Sequence, residues 1–262
     1  MIRPPILENK DPASSSIFEP NALLREARRQ KGLHHDSVPQ ICVLDPDGDI
    51  VRRLRQINES KPFAGWPCYH TQLDTFQLNN VEVGIVGCAV GAPFAVLVAE
   101  QLFASGCTLL ISITSAGQIA ASGRPPYFVI IDQALRDEGT SYHYASPAEF
   151  AMADPILVEI AIDALAHHGM TGIVGKSWTT DAPFRETKPA IEAARKKSII
   201  TVEMEAAALY SFASATGARV LCIAHVTNSM GQVDNDFEKG ESDGTADALA
   251  LLRAIVPFLV RA

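Results

Sequence analysis

The stretch at residues 199–210 constrains the fold of this chain more than any other. A short β-branched run ends at Glu203-Met204-Glu205, and an alanine-rich, helix-forming run begins there. This change of pattern predicts a strand that passes directly into a helix. In an open α/β sheet, ligands bind outside the carboxyl ends of strands, so Glu203 and Glu205 are predicted to lie at a binding site.

The two carboxylates have a chemistry that suits such a site. Each offers two acceptor oxygens and no donor, which fits a pair of neighbouring hydroxyls such as a ribose diol. The alternative explanation is structural, because acidic residues are common in the first turn of a helix, where they complement its dipole. These residues alone leave both explanations open.

Length and composition are those of an ordinary globular chain. The 262 residues are 47% hydrophobic and 20% charged, which favours one large domain with a substantial core. The net charge of −8 gives no electrostatic reason to bind nucleic acid or an anionic membrane, so neither partner is expected. The five cysteines include no CxxC pair and indicate reduced thiols in a cytoplasmic protein.

The glycines and histidines give no reason to expect a cofactor. The glycines at residues 84–91 do not form GxGxxG between a strand and a helix, which disfavours a dinucleotide. The adjacent histidine pairs at residues 34–35 and 167–168 do not easily place both rings on one metal ion. Neither a cofactor nor a metal is therefore predicted.

Two regions are predicted along the chain: an N-terminal arm at residues 1–37 and a single catalytic domain at residues 38–262. The arm is rich in Pro, Ser and Asn and carries a short basic helix that Asn21 would cap. The basic side chains of this helix are predicted to face solvent. In the domain, buried strands alternate with helices, which calls for a largely parallel sheet covered on both faces. The strands are predicted at 41–44, 81–90, 109–113, 127–134, 172–178, 199–202 and 220–226, after a hairpin near 69–78, and the main helices at 91–105, 155–168 and 246–259.

Small polar or glycine-containing clusters follow several of these strands. They are the acidic turn at 45–49, the segments at 90–93 and 114–117, the carboxylates at 203–205, and residues 227–229. Because loops at one edge of a sheet converge, the five clusters predict a single pocket.

Three of these clusters and one further segment resemble motifs of the nucleoside phosphorylase and nucleosidase superfamily. Residues 202–206 are similar to its V-E-M-E-[AS] ribose motif, and residues 136–141 resemble a segment of uridine phosphorylases. Ser115, Ala116 and Gly117 resemble the S-A-G-G of nucleosidases, and Thr227-Asn228 stands where the family has Ser-Asp or Val-Asn. The resemblance implies a single-domain, three-layer α/β fold with a central, mostly parallel, partly barrel-like sheet flanked by helices.

The resemblance also implies an activity, cleavage of the N-glycosidic bond of a nucleoside. Glu205 would hold the ribose hydroxyls, Met204 would pack on the sugar, and Glu203 would contact the ribose or support Glu205. Hydrogen bonds to the sugar strengthen as it becomes oxocarbenium-like. Asn228 would face the base, where a donor stabilises developing negative charge and mildly favours a 6-oxopurine or a pyrimidine.

Further roles are implied more weakly. Phe184 would stack on the base and Arg185 would bond a carbonyl, although a plain loop with a core phenylalanine is the alternative. His143 would reach the 5′ end of the sugar. Family members assemble as dimers or hexamers, so a homo-oligomer is implied by resemblance.

The acceptor of the sugar is predicted from departures from the family. Gly48 and Ser112 stand where the resemblance predicts phosphate-binding arginines, and the third arginine would fall near residues 69–70. A phosphate dianion needs such cations. Asp49 falls where nucleosidases carry a water-activating glutamate, so hydrolysis is favoured over phosphorolysis. The alternatives are that another cation such as Arg52 serves phosphate, or that the chain only binds nucleosides.

Overall fold

The computed structural model describes residues 4–120, 122–230 and 237–260. Strands and α-helices alternate through most of this part, as the sequence predicts. The strands are β1 Ile41–Asp45, β2 Ser60–Pro62, β3 Leu73–Leu78, β4 Val81–Gly87, β5 Leu109–Gln118, β6 Tyr127–Asp137, β7 Phe150–Met152, β8 Ile173–Thr180, β9 Ile199–Glu203 and β10 Arg219–Asn228. The helices are α1 Pro20–Lys31, α2 Asp49–Gln56, α3 Ala92–Ala104, α4 Pro155–His167, α5 Lys188–Lys196, α6 Ala206–Thr216 and α7 Thr245–Leu259.

All the strands form one mixed sheet that closes on itself in part. The order β10-β6-β8-β9-β5 returns to β10 through a pairing between β5 and β10, which makes a five-stranded ring. Strands β1, β4, β3 and β2 extend outward from β5, and β7 pairs with β6. Parallel pairing joins β1 to β4 and β5, β5 to β10, and β8 to β6 and β9. The predicted three-layer α/β fold with a partly barrel-like sheet is confirmed.

The two faces of the sheet are covered by different helices. Along β5, Leu110 and Ala116 pack with α3 and α6, whereas Ile111 and Ile113 pack with α2, α4 and α7. Side chains alternate between faces along a strand, so both faces of β5 are buried. This explains why the central strands are almost continuously apolar.

The N-terminal helix α1 is attached to this body. Leu24 and Ala27 are buried, and α1 contacts α3. The helix begins at Pro20 with Glu19 at its N-cap, so the predicted cap at Asn21 is wrong. Its charge is only partly solvated, because Arg28 is buried and donates to Ser105 Oγ at 3.3 Å. The division of the chain at residues 37 and 38 stays a prediction.

Strand ends and one helix near the predicted pocket differ from the sequence interpretation: β10, for example, continues to Asn228 rather than ending at residue 226. Strand β5 continues to Gln118, so Ser115, Ala116 and Gly117 lie within the strand rather than after it. Helix α2 was not predicted, and it begins directly after the acidic turn, with Gly48 as its N-cap at φ 76°. No helix in the described part of the chain is long and apolar enough to cross a bilayer.

Candidate functional site

The junction at residues 203–206 is held together by the Glu203 carboxylate. Strand β9 ends at Glu203 and α6 begins at Ala206. One oxygen of Glu203 accepts hydrogen bonds from Ser177 Oγ at 3.0 Å and Thr179 Oγ1 at 2.6 Å. The other accepts from the main-chain N–H groups of Glu205 at 2.6 Å and Ala206 at 2.7 Å. Glu203 therefore caps α6 and supports Glu205, one of the two roles that the resemblance implies.

The Glu205 carboxylate lies just behind the surface. It accepts hydrogen bonds from the N–H of Gly91 at 2.7 Å and the N–H of Met204 at 3.3 Å, and the residue is 1% exposed. Burial, together with the charge of Glu203, raises the pKa of Glu205 to about 8. Gly91 precedes the first turn of α3, so this contact links the junction to that helix.

A cleft of about 350 Å³ opens beside the junction. It brings together most of the substrate-binding residues that the sequence predicts. They are Ser115, Ala116, Gly117, Phe184, Glu203, Met204 and Asn228. Ser115 and Asn228, 113 residues apart in the chain, meet here because the last residues of three strands are neighbours: Gly117 of β5 pairs with Val202 of β9 and with Asn228 of β10.

Asn228 and Phe184 offer this cleft a donor and an aromatic face. Asn228 Oδ1 accepts from the N–H of Met230 at 2.9 Å, and Nδ2 donates to Thr227 Oγ1 at 3.2 Å. An amide nitrogen has two donors, and among the described residues only one of them has a partner. Phe184 is 99% exposed at the cleft, which rules out the alternative that it is a core phenylalanine.

Among the predicted substrate-binding residues, Arg185 and His143 lie elsewhere, and the predicted catalytic residue Glu205 is buried and does not line the cleft. One residue that the sequence interpretation missed does line it. Arg185 is exposed and does not line the cleft. His143 lines a separate groove beside α1 and α3 with Tyr144, so within one chain it does not meet the predicted sugar site. Glu186 does line the cleft, and burial raises its pKa to about 7. The sequence offered one indication that Glu186 belongs to the cleft, namely that it follows the predicted stacking residue Phe184 by two positions.

The acidic turn approaches the cleft through Ser115. Buried Asp45 accepts from the N–H groups of Gly48 at 3.1 Å and Val51 at 2.9 Å, and burial raises its pKa to about 7. Asp47 accepts from the N–H of Ser115 at 2.7 Å and from its hydroxyl at 2.8 Å.

Asp49, the predicted catalytic base, does not line the cleft. It forms ion pairs with Arg52 and Lys239. Together with His225 and Lys239, Asp49 lines a neighbouring polar pocket. Ser115 lines both this pocket and the cleft. Lys239 was not singled out from the sequence, because its contact with Asp49 joins positions 190 residues apart.

The sequence model of one protein family, the phosphorylase superfamily, matches residues 40–257. The chain belongs to the phosphorylase superfamily. It is 26% identical over 236 residues to a uridine phosphorylase of Thermococcus kodakarensis, covering 84% of each chain. It is 27% identical over 181 residues to a DeoD-type purine nucleoside phosphorylase of Shewanella denitrificans, covering 68% of this chain and 73% of the relative.

Solved structures of the superfamily have the same fold. The crystal structure of purine nucleoside phosphorylase from Toxoplasma gondii in complex with immucillin-H superposes with a TM-score of 0.74 at 15% identity, over 87% of this chain and 95% of that one. The uridine phosphorylase from Vibrio fischeri superposes with a TM-score of 0.73 at 21% identity, again over 87% and 95%.

Gly48 and Ser112 occupy the positions where the superfamily resemblance predicts phosphate-binding arginines, and the structure shows what surrounds each of them. Arg52 Nη1 lies 2.8 Å from the point that a Cβ at Gly48 would occupy, so a guanidinium stands beside that turn after all. Ser112 Oγ is buried and has no hydrogen-bond partner among the described residues. The cations near the turn are thus supplied from α2 and from Lys239, and both are paired with Asp49.

Proposed function

We propose that this protein cleaves the N-glycosidic bond of a nucleoside and transfers the sugar to phosphate. The observation that carries the proposal is that Glu203 and Met204, directly before the buried Glu205, line a cleft in a chain of the phosphorylase superfamily. The relatives named above are uridine and purine nucleoside phosphorylases, which supports phosphate rather than water as the acceptor.

Residues of the cleft, together with the buried Glu205 beside it, have the groups that this reaction needs. The Glu205 carboxylate accepts from the 2′- and 3′-hydroxyls in place of its bond to the Gly91 N–H, and Met204 packs on the sugar. As the C1′–N bond breaks, its electron pair moves to the base, and the second N–H of the Asn228 amide stabilises the charge that develops there. A phosphate oxygen forms the new bond to C1′, and Phe184 stacks on the base.

The acceptor depends on the cations near the turn. Arg52 and Lys239 together carry two positive charges and hold one carboxylate, Asp49. A phosphate that exchanges with this carboxylate gains both cations. Nucleosides and phosphate are the proposed partners, and assembly as a dimer or hexamer stays a proposal from the resemblance.

Hydrolysis is the second candidate, and one observation favours it. Glycine and serine occupy positions 48 and 112, and three aspartates surround the turn, so a phosphate dianion finds fewer cations than the resemblance predicts. The predicted base for hydrolysis, Asp49, is held in two ion pairs and must leave them before it can accept a proton from water.

The proposal is tested by release of free base from a panel of purine and pyrimidine nucleosides in phosphate buffer. The protein is expected to release base from at least one of them. Above pH 8, where Glu205 is ionised despite its raised pKa, Glu205→Gln is expected to lower kcat/KM by at least about 100-fold, because the charged acceptor of the ribose diol is lost. Glu192→Gln, which changes an exposed glutamate of α5, is the matched control and is expected to match the wild type. No release from any nucleoside would contradict the proposal and favour a nucleoside-binding protein.

A further inference from the structure

The Asp47 carboxylate makes a contact that resembles a bound oxyanion. Its two oxygens accept one hydrogen bond each from Ser115, at 2.7 Å from the main-chain N and 2.8 Å from Oγ. Two donors converging on two oxygens is the arrangement by which N–H and O–H groups bind phosphate or carboxylate ligands. Here the ligand is a side chain of the same protein.

The position of Ser115 makes this contact relevant to the proposed reaction. Ser115 lines the cleft beside Met204 and Asn228, and it also lines the pocket that holds Lys239. It therefore stands between the proposed sugar site and the nearest cations. An acceptor that reaches the sugar from that pocket must pass these two donors.

The charge of Asp47 is not neutralised by a cation. Among the described residues, Asp47 has no ion pair, whereas the nearby Arg52 and Lys239 both bind Asp49. Its charge also acts on the sugar site: after burial and the charge of Glu203, Asp47 contributes to the raised pKa of Glu205. A phosphate dianion that arrives here meets repulsion from Asp47 and finds both Ser115 donors in use.

We propose that Asp47 occupies the oxyanion position of this site and thereby sets the choice of acceptor, because phosphate must displace its carboxylate from Ser115. Water needs no such displacement. The inference rests on the proposed glycosidic-bond cleavage, and it makes Asp47 a specificity residue that acts against phosphate. Replacing the carboxylate by a neutral amide removes the repulsion and weakens the hydrogen bonds that hold the Ser115 donors, because charge-assisted hydrogen bonds are the stronger ones.

The test is the binding of inorganic phosphate, measured by isothermal titration calorimetry on the full chain. Asp47→Asn keeps the shape of the side chain and removes its charge, and it is expected to bind phosphate at least about tenfold more tightly than the wild type. Asp154→Asn removes the same charge from the exposed N-cap of α4 and is expected to leave phosphate binding unchanged. An unchanged or weaker affinity in Asp47→Asn would overturn the inference.

A second variant and the phosphate affinity of the wild type keep the test independent of the folding of Asp47→Asn and of turnover. If Asp47→Asn does not fold, Asp47→Ser is expected to shift phosphate affinity in the same direction. A wild-type Kd for phosphate in the low micromolar range would overturn the inference without any variant.

Kinetics separates this inference from the proposed function. The KM for phosphate is expected to fall in Asp47→Asn while the KM for the nucleoside stays within about twofold, because only the phosphate meets the repulsion. A wild type that hydrolyses nucleosides, with an Asp47→Asn variant that becomes phosphate-dependent, would contradict phosphorolysis and support the role of Asp47. A wild type that requires phosphate, with a KM for phosphate that is unchanged in Asp47→Asn, would support phosphorolysis and contradict the role of Asp47.

Discussion

The four hydrogen bonds to Glu203 predict a large difference between two substitutions at this residue. Glu203→Ala removes the acceptor of the main-chain N–H groups of Glu205 and Ala206, which are buried at the start of α6. Glu203→Gln keeps one carbonyl oxygen that can face both N–H groups. Its NH₂ group can donate to the hydroxyls of Ser177 and Thr179, which accept as well as donate.

The magnitude follows from the groups left without partners. Each buried N–H that loses its acceptor costs about 1–3 kcal/mol, so two of them lower the free energy of unfolding by about 2–6 kcal/mol in Glu203→Ala. In Glu203→Gln every group retains a partner, and only the charge assistance of the hydrogen bonds is lost, about 1 kcal/mol.

The assay is equilibrium unfolding in urea followed by tryptophan fluorescence. Trp178 is buried next to Thr179, so its emission reports on the junction. Glu203→Ala is expected to unfold at a much lower urea concentration than Glu203→Gln. Equal losses in the two variants, or no loss in Glu203→Ala, would refute the view that Glu203 is a structural cap for α6 and a support for Glu205.

Three further predictions concern other residues of the site. Burial raises the pKa of Glu205 in the folded state to about 8 from an ordinary 4.5. Between these two pH values the folded state keeps a proton that the unfolded state has released, so the free energy of unfolding decreases as the pH rises towards 8. The urea midpoint of the wild type should therefore fall between pH 5 and pH 8, and Glu205→Gln should flatten that fall; a wild-type midpoint that rises would contradict it. Phe184→Ala should raise the KM for the nucleoside about tenfold through lost stacking. Its melting temperature should not change, because the ring is fully exposed, and an unchanged KM would argue against a base at Phe184. Gly48→Ala should lower the free energy of unfolding by about 2 kcal/mol, because φ is 76° and the new Cβ would lie 2.5 Å from Cys88 Sγ. Equilibrium unfolding in urea measures this loss, and an unchanged free energy of unfolding would contradict the prediction.

The strand-to-helix junction could be predicted from the sequence because its signals are local. The β-branched run at residues 199–202 and the alanine-rich run after it differ in intrinsic propensity, and the elements β9 and α6 follow that difference. The meeting of three of the five polar clusters in one cleft was predictable for a related reason, since strand ends in an α/β sheet converge. The prediction of a single pocket was wrong for the other two, because the acidic turn lines the neighbouring pocket and residues 90–93 line neither of them.

The boundaries that were wrong depend on pairing with distant strands. The segment Thr114-Ser115-Ala116-Gly117 has weak strand propensity, yet it continues β5 because β10 pairs with it on one side and β9 on the other. Helix α2 was hidden because Asp-Pro-Asp-Gly is strong turn chemistry, and the turn and the helix follow each other without a spacer.

Side-chain contacts across the chain could not be predicted at all. Position in the sequence placed His143 near a family-like segment, but the chain path carries it into the groove beside α1 and α3. Asp47 and Ser115 are 68 residues apart, and nothing in either segment indicates that they bond. The same applies to Lys239 and Asp49, so the electrostatics of the acceptor site required the structure.

The most direct test of the central claim identifies the sugar product. The best nucleoside of the panel is incubated with the protein and inorganic phosphate, and the reaction is followed by ³¹P NMR together with the amount of free base. The account predicts a sugar 1-phosphate resonance that grows in a one-to-one ratio with released base, and no release when phosphate is omitted. Release of base with free ribose and an unchanged phosphate resonance would contradict it.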